Sequence, residues 1–225
     1  MELKGKVIDF LGDSITEGVG VSDRKNNRYD NVLKRECGLK ETYNYGVGGS
    51  RLAHQRTPSA KPRHDLCFCG RAYDLNKTAD VIVVYGGIND YIHGDAPMGC
   101  FGDTTPATFC GAVHFLMNFL KTEYAGKTLV FMTPARLCYD GLTGEKPSTR
   151  PVKQPDALPL LGYIEIIETT AAQHGIPVLN LYENLGIDPN KPEDKEKYTF
   201  SPRLIILLTL FKSPIISLAS FGHTR

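Results

Sequence analysis

Runs of β-branched and aromatic residues alternate along the chain with segments whose apolar residues fall at helical spacing. The runs at 7–11, 42–45, 80–85 (DVIVVY), 128–132 (TLVFM) and 177–181 (PVLNL) predict five strands. The third and fourth are apolar at nearly every position, which is how a parallel sheet covered on both faces reads. Between the strands, 29–37 runs into Gly38, 106–124 repeats apolar residues at helical spacing, and 160–174 runs into Gly175. A glycine stops a helix because it enters the left-handed conformation without a Cβ clash. Five strands joined by right-handed helical crossovers predict an α/β protein, a three-layer α/β/α domain with a flavodoxin-like five-stranded parallel sheet.

A chain of 225 residues suits one such domain, expected over 1–200 and followed by an atypical apolar tail at 201–225. The stretch 144–159 (GEKPSTRPVKQPDALP) holds four prolines and reads as a long loop. It is either a rim or lid over the binding face or a passive surface excursion.

Ligands of such sheets sit beyond the carboxyl ends of the strands. The loops after the first three strands are GDSITEG (12–18), GVGGS (46–50) and GGINDY (86–91). Ser14 falls between a strand and a helix, where its hydroxyl lies on the open edge and its N–H joins the helix-start amides. A serine there suits a nucleophile, but it needs a base for its proton and donors for the oxyanion that attack creates. Gly49 can bring a bare backbone N–H close to a ligand. Asn89 offers an uncharged side-chain N–H₂ donor. Each residue also has a plainer reading: Ser14 as a helix N-cap, Gly46, Gly48 and Gly49 as a tight turn, Asn89 and Asp90 as a cap of the next helix. What is specific is that all three loops leave the same sheet edge.

At these residues the chain resembles the SGNH (GDSL-type) hydrolase family. GDSIT is similar to the family's nucleophile block and puts Ser14 in the nucleophile position; NYGVGG (44–49) and GGIND (86–90) put the oxyanion glycine at Gly49 and the oxyanion asparagine at Asn89. The resemblance covers roughly residues 1–185. It implies an α/β/α fold and serine-esterase hydrolysis of acyl or acetyl esters of a lipid or carbohydrate. The partner expected is a small-molecule ester substrate, with no cofactor and no metal. No G-x-S-x-G occurs, so the α/β-hydrolase elbow does not apply.

The family's fourth block, D-x-x-H, should follow 197-KYTF-200. Instead residues 201–225 (SPRLIILLTLFKSPIISLASFGHTR) contain no Asp or Glu and one histidine, His223. A closing helix should show a polar face, yet 204–210 is almost uniformly apolar. Lys212 and Pro214 interrupt a run already far short of the ~20 residues that span a membrane. Codons for His-Pro-Thr-Asp-Ala, read one base later, give Ile-Leu-Leu-Thr-Leu, the residues at 206–210. The same shift returns no Asp three places earlier. The tail is therefore either native or an out-of-frame reading of the missing block. Without that block the chain is an impaired esterase or, alternatively, a non-catalytic ligand-binding protein that keeps the pocket. An apolar run of this kind invites strand pairing and a homo-oligomer through the tail.

Composition narrows the remaining choices. Hydrophobic content of 41%, charged content of 23% and 22 glycines are ordinary for a globular protein. A net charge of +1 leaves no basic stripe for nucleic acid. No Lys follows the glycines of 12–20, and no G-x-G-x-x-G occurs, so a nucleotide-phosphate loop is not indicated. The first residues, MELKGKVIDF, hold no apolar leader, making cytoplasm the expected compartment. Cys37, Cys67, Cys69, Cys100, Cys110 and Cys138 are irregularly spaced and read as reduced thiols, and Cys67-Phe68-Cys69 is a weak metal signal. His54, His64, His114 and His174 read as solvated loop or helix-surface residues. His93, four residues past Asn89, reads as a pocket-rim residue and not a base.

Overall fold

All five predicted strands pair in the computed structural model, which describes residues 2–137, 156–188 and 191–194. They are β1 (Val7–Gly12), β2 (Glu41–Gly46), β3 (Val81–Tyr85), β4 (Thr128–Met132) and β5 (Val178–Leu179). Every pairing is parallel, and the order across the sheet is β2-β1-β3-β4-β5. The chain steps from β1 outward to β2 and then returns to the other side of β1 for β3. That reversal opens a crevice at the carboxyl ends of β1 and β3, where doubly wound sheets take their ligands.

Helices fill the crossovers. In chain order they are α1 (Ser14–Glu17), α2 (Arg24–Asn27), α3 (Tyr29–Cys37), α4 (Phe68–Arg71), α5 (Ile88–His93), α6 (Phe109–Glu123), α7 (Leu160–His174), α8 (Leu181–Asn184) and α9 (Pro192–Asp194). The apolar run of β3 is buried at every position because both faces are covered. Ile82 and Val84 join the core built with α4, α6 and α7, while Val81, Val83 and Tyr85 join the one built with α3 and α8. Among the described residues no helix is long and apolar enough to cross a membrane.

Gly38 and Gly175 end α3 and α7 in the left-handed conformation, as expected from their places in the sequence. Two boundaries differ. The fifth strand holds two residues, not the five of PVLNL, because Asn180 Oδ1 accepts from the Glu183 N–H at 3.0 Å and turns the chain into α8. The helix expected from 106 begins at Phe109, because Thr108 Oγ1 accepts from the Gly111 N–H at 3.1 Å. Of the 144–159 loop only Asp156 to Pro159 is described, and Cys138 and the tail at 201–225 lie outside the described residues. Cys67, Cys69, Cys100 and Cys110 are free thiols; Cys67 Sγ caps α4 by accepting from the Gly70 N–H at 3.3 Å.

Asp9, in the middle of β1, is fully buried. Its Oδ2 accepts from the Asn76 N–H at 2.7 Å, and its Oδ1 has no hydrogen-bond partner among the described residues. Burial pushes the carboxyl up to about 6, against the lowering effect of the Asn76 N–H. A carboxyl whose folded pKa lies above its unfolded value favours the protonated native state. Its stabilising contribution is present below pH 4 and is lost as pH rises through about 6. In urea titrations at pH 5 and pH 8, Asp9→Asn is therefore expected to remove a loss of about 1 to 1.5 kcal/mol between the two. An unchanged pH dependence in the variant would exclude Asp9 as its source.

Candidate functional site

β1, β2 and β3 end level with one another: Gly12 lies opposite Gly46 on one side and Tyr85 on the other. The chain turns directly from Gly12 into α1, which rests on bare strand backbone. A Cβ on Gly46 would lie 2.1 Å from the Glu17 nitrogen, and one on Gly12 would lie 1.9 Å from Thr16 Oγ1. The residue that caps α1 is Asp13, whose Oδ1 accepts from the Ile15 N–H at 2.9 Å. Ser14 is thus the first helical residue and not its cap. Among the described residues nothing hydrogen-bonds its hydroxyl.

The second loop is laced to this turn. Glu17 Oε2 accepts from the Gly48 N–H at 2.6 Å, and Asn44 Nδ2 donates to the Thr16 carbonyl at 2.7 Å. A Cβ on Gly48 would lie 3.5 Å from the Ser14 Cβ, so the two loops touch beside the serine. Gly49 has φ +79°, and the His64 ring covers it: an added Cβ would meet ring atoms at 2.8 to 3.0 Å. Gly49→Ala combines a left-handed alanine with that clash. Its urea midpoint is expected to fall by an amount equivalent to more than about 1 to 2 kcal/mol, the cost of the backbone conformation alone. Adding His64→Ala should recover only the steric part. A Gly49→Ala protein as stable as the wild type would exclude both effects.

Asn89 joins the loops. Its Nδ2 donates to the Ser50 carbonyl at 3.0 Å and to Asp13 Oδ2 at 3.4 Å, so it touches the residue before Ser14 and the residue after Gly49. Beside it Asp90 accepts from the Leu52 and Ala53 N–H groups at 2.9 and 3.0 Å. Asp90 therefore holds the second loop and caps no helix. Ser14, Gly49 and Asn89 are brought into one cluster, as their sequence positions implied.

Three residues hold this cluster, and two of them, Arg71 and Arg51, were not singled out by sequence reasoning. Arg71 is buried under it and donates to the carbonyls of Tyr45, Gly12 (3.1 Å) and Leu66 (2.9 Å) and to Ser50 Oγ (2.8 Å). Its guanidinium lies 4.7 Å from the Phe68 ring centroid. Burial lowers the Arg71 pKa to about 10, and Asp13 is among the groups that oppose the shift. The other two are Arg51 and His93. His93 is 7% exposed and lies behind Asn89, which corrects its expected place on the pocket rim. Its one advance signal was its spacing from Asn89, since residues four apart share a helix face.

His64 is half-buried against Gly49 and is not a solvated loop residue. His114 and His174 pack against each other, their rings 4.8 Å apart, and His54 is exposed. His223 lies outside the described residues.

The buried carboxyls of the site are reluctant to ionise. Burial pushes Asp13 up to about 7, although the Ile15 N–H and Arg71 pull it down. Burial likewise raises Asp90 to about 6 against the pull of the Leu52 and Ala53 N–H groups. The floor beneath Ser14 and Asn89 thus carries little fixed negative charge in mild acid, and donors dominate it.

Solved structures with the same architecture include a protein from Lactobacillus plantarum, 26% identical, covering 94% of this chain and 98% of that one with a TM-score of 0.73. A protein from Bacteroides uniformis assigned as a GDSL-like lipase is 19% identical, covering 79% of this chain and 84% of that one, with a TM-score of 0.56. The acetyl xylan esterase AlAXEase is 18% identical over 79% of this chain and 78% of its own, with a TM-score of 0.51. No curated protein matches the sequence. A family model matches residues 10–201, and with it the chain belongs to the GDSL-like lipase/acylhydrolase family.

Proposed function

We propose that the protein is a serine esterase that hydrolyses acyl or acetyl esters of a lipid or carbohydrate, with Ser14 as nucleophile. Ser14 Oγ attacks the ester carbonyl. The negative charge that develops on the carbonyl oxygen is taken up by the Ser14 N–H, the Gly49 N–H and the Asn89 side-chain amide. The observation that carries this reading is the Asn89 amide, bonded to the neighbours of both Ser14 and Gly49. The 3.0 Å bond to Ser50 fixes the amide before any substrate arrives, and its second N–H, held only by the long 3.4 Å contact with Asp13, is the one that turns to the oxyanion as charge develops. The tetrahedral intermediate collapses, breaking the ester C–O bond and releasing the alcohol, and water then attacks the acyl-serine carbonyl to release the carboxylic acid and restore Ser14. The base that takes the serine proton is unassigned.

Mixing the protein with a short-chain aryl ester and comparing it with Ser14→Ala tests the reading. The variant is expected to lose the enzyme-dependent rate, and equal rates would remove Ser14 from any catalytic role. The absence of D-x-x-H from 201–225 favours a second reading, a binding protein that retains the pocket without turnover. In that case a phosphonate probe would fail to label Ser14 while acetylated sugars or acyl ligands still bound.

A further inference from the structure

The hydrogen bonds behind Asn89 form a line whose two ends can each play one role only. At one end the Ser50 carbonyl, 3.0 Å from Asn89 Nδ2, can only accept. Asn89 must therefore present its N–H₂ group there and turn its Oδ1 the other way, toward His93 Nε2 at 2.9 Å. At the other end Arg51 Nη2, 2.8 Å from His93 Nδ1, can only donate. His93 Nδ1 must then be an acceptor, which leaves its ring proton on Nε2, where Asn89 Oδ1 needs a donor. Roles assigned from either end agree at every atom between them.

From this we infer that His93, held by Arg51, is a positioning residue that sets the orientation of the Asn89 amide in the oxyanion hole; the inference rests on the esterase reading above. An asparagine amide has two nearly isosteric orientations, and only one presents hydrogen atoms to a developing oxyanion. The Ser50 carbonyl selects that orientation from one side, and the His93 Nε2–H selects it from the other. Asn89, His93 and Arg51 are 8%, 7% and 7% exposed, so water competes weakly for these bonds. A doubly protonated imidazole would set an N–H against the Arg51 guanidinium, so the line also requires His93 to be neutral. Among the described residues the charged groups near it are Arg51, which it touches, and Asp90 and Asp65, which both act on Arg51, Asp65 at 3.4 Å from Arg51 Nη1.

Arg51 also contacts Ser59 and the His64 carbonyl, which makes His93 the cleaner position to vary. A glutamine at 93 carries an N–H where His93 has Nε2, whereas a leucine carries none. With an aryl ester, His93→Leu is expected to lower kcat about tenfold or more at unchanged KM, because the bond it supports acts in the transition state. His93→Gln should recover most of that loss. In an Asn89→Ala background His93→Leu should cost less than about twofold, since the group it orients is gone. An equal cost in both backgrounds would overturn the proposal and leave His93 a merely structural residue.

A measurement without substrate separates this inference from the esterase reading. Nitrogen NMR of the unligated protein at neutral pH is expected to find His93 neutral with its proton on Nε2. The Asn89 side-chain amide signals should move in His93→Leu while the backbone signals of Asp13 and Ser50 hold. A proton on Nδ1, or Asn89 signals indifferent to His93, would refute the orientation even if the protein proved to be an active esterase. Success here with no ester hydrolysis would uphold the orientation and count against the esterase reading alone.

Discussion

Asn89→Ala is expected to lower kcat toward an aryl ester about 10²- to 10³-fold, the loss that follows removal of one preorganised oxyanion donor. KM should change little, because the ground-state carbonyl gains less from that donor than the oxyanion does. The effect survives an unassigned base, since donors and binding alone retain a rate about 10³- to 10⁴-fold over water when a triad member is missing. Asn89→Asp should lose as much activity and also destabilise the fold. A carboxylate at 89 would face the Ser50 carbonyl, now 3.0 Å from Nδ2, and the Asp13 carboxyl, now 3.4 Å from it. Asp13 is already pushed up to about 7 by burial, so a second acid beside it has little room to ionise. Steady-state rates and urea midpoints of the two variants check this. An Asn89→Ala enzyme with wild-type kcat would take Asn89 out of the oxyanion hole.

The strands were legible because burial on both faces writes an uninterrupted apolar run such as VIVVY into the sequence. Helix ends were legible where glycine supplied the stop, at Gly38 and Gly175. Boundaries decided by a side chain were not. Asn180 looks like a strand residue within PVLNL until its Oδ1 is seen to accept from Glu183, and Thr108 looks like any helix residue until it caps α6. Local pattern records propensity, whereas these ends depend on which oxygen reaches which amide.

The candidate site was legible only as far as it is local. Ser14, Gly49 and Asn89 sit in short glycine-bearing loops at strand ends, and topology alone brings those loops together. Arg71 reaches Gly12 across 59 residues of sequence and lies on a four-residue helix with no periodicity to mark it. His93 offered a helical spacing, but its function depends on Arg51, 42 residues away in sequence. Such supports act through buried bonds between loops, so residue type and local spacing do not reveal the role beforehand.

Repairing the tail is expected to have the largest effect of all. Residues 201–225 contain no acid and one histidine, His223, the family match ends at 201, and codons for His-Pro-Thr-Asp-Ala read one base later would give 206–210. If the shift is the cause, restoring one base in the gene ahead of Leu204 replaces the apolar run with a segment carrying the base histidine. Ester hydrolysis should then rise by several orders of magnitude, since removing the base from a serine enzyme costs about 10⁴ to 10⁶ in kcat. The gain should appear in kcat and vanish when Ser14→Ala is added, because a base without its nucleophile has no proton to take. It should persist in His93→Leu at a reduced level, since orienting Asn89 and activating Ser14 stabilise different charges. A restored chain no faster than the present one would show that the proton acceptor of Ser14 lies elsewhere than in 201–225.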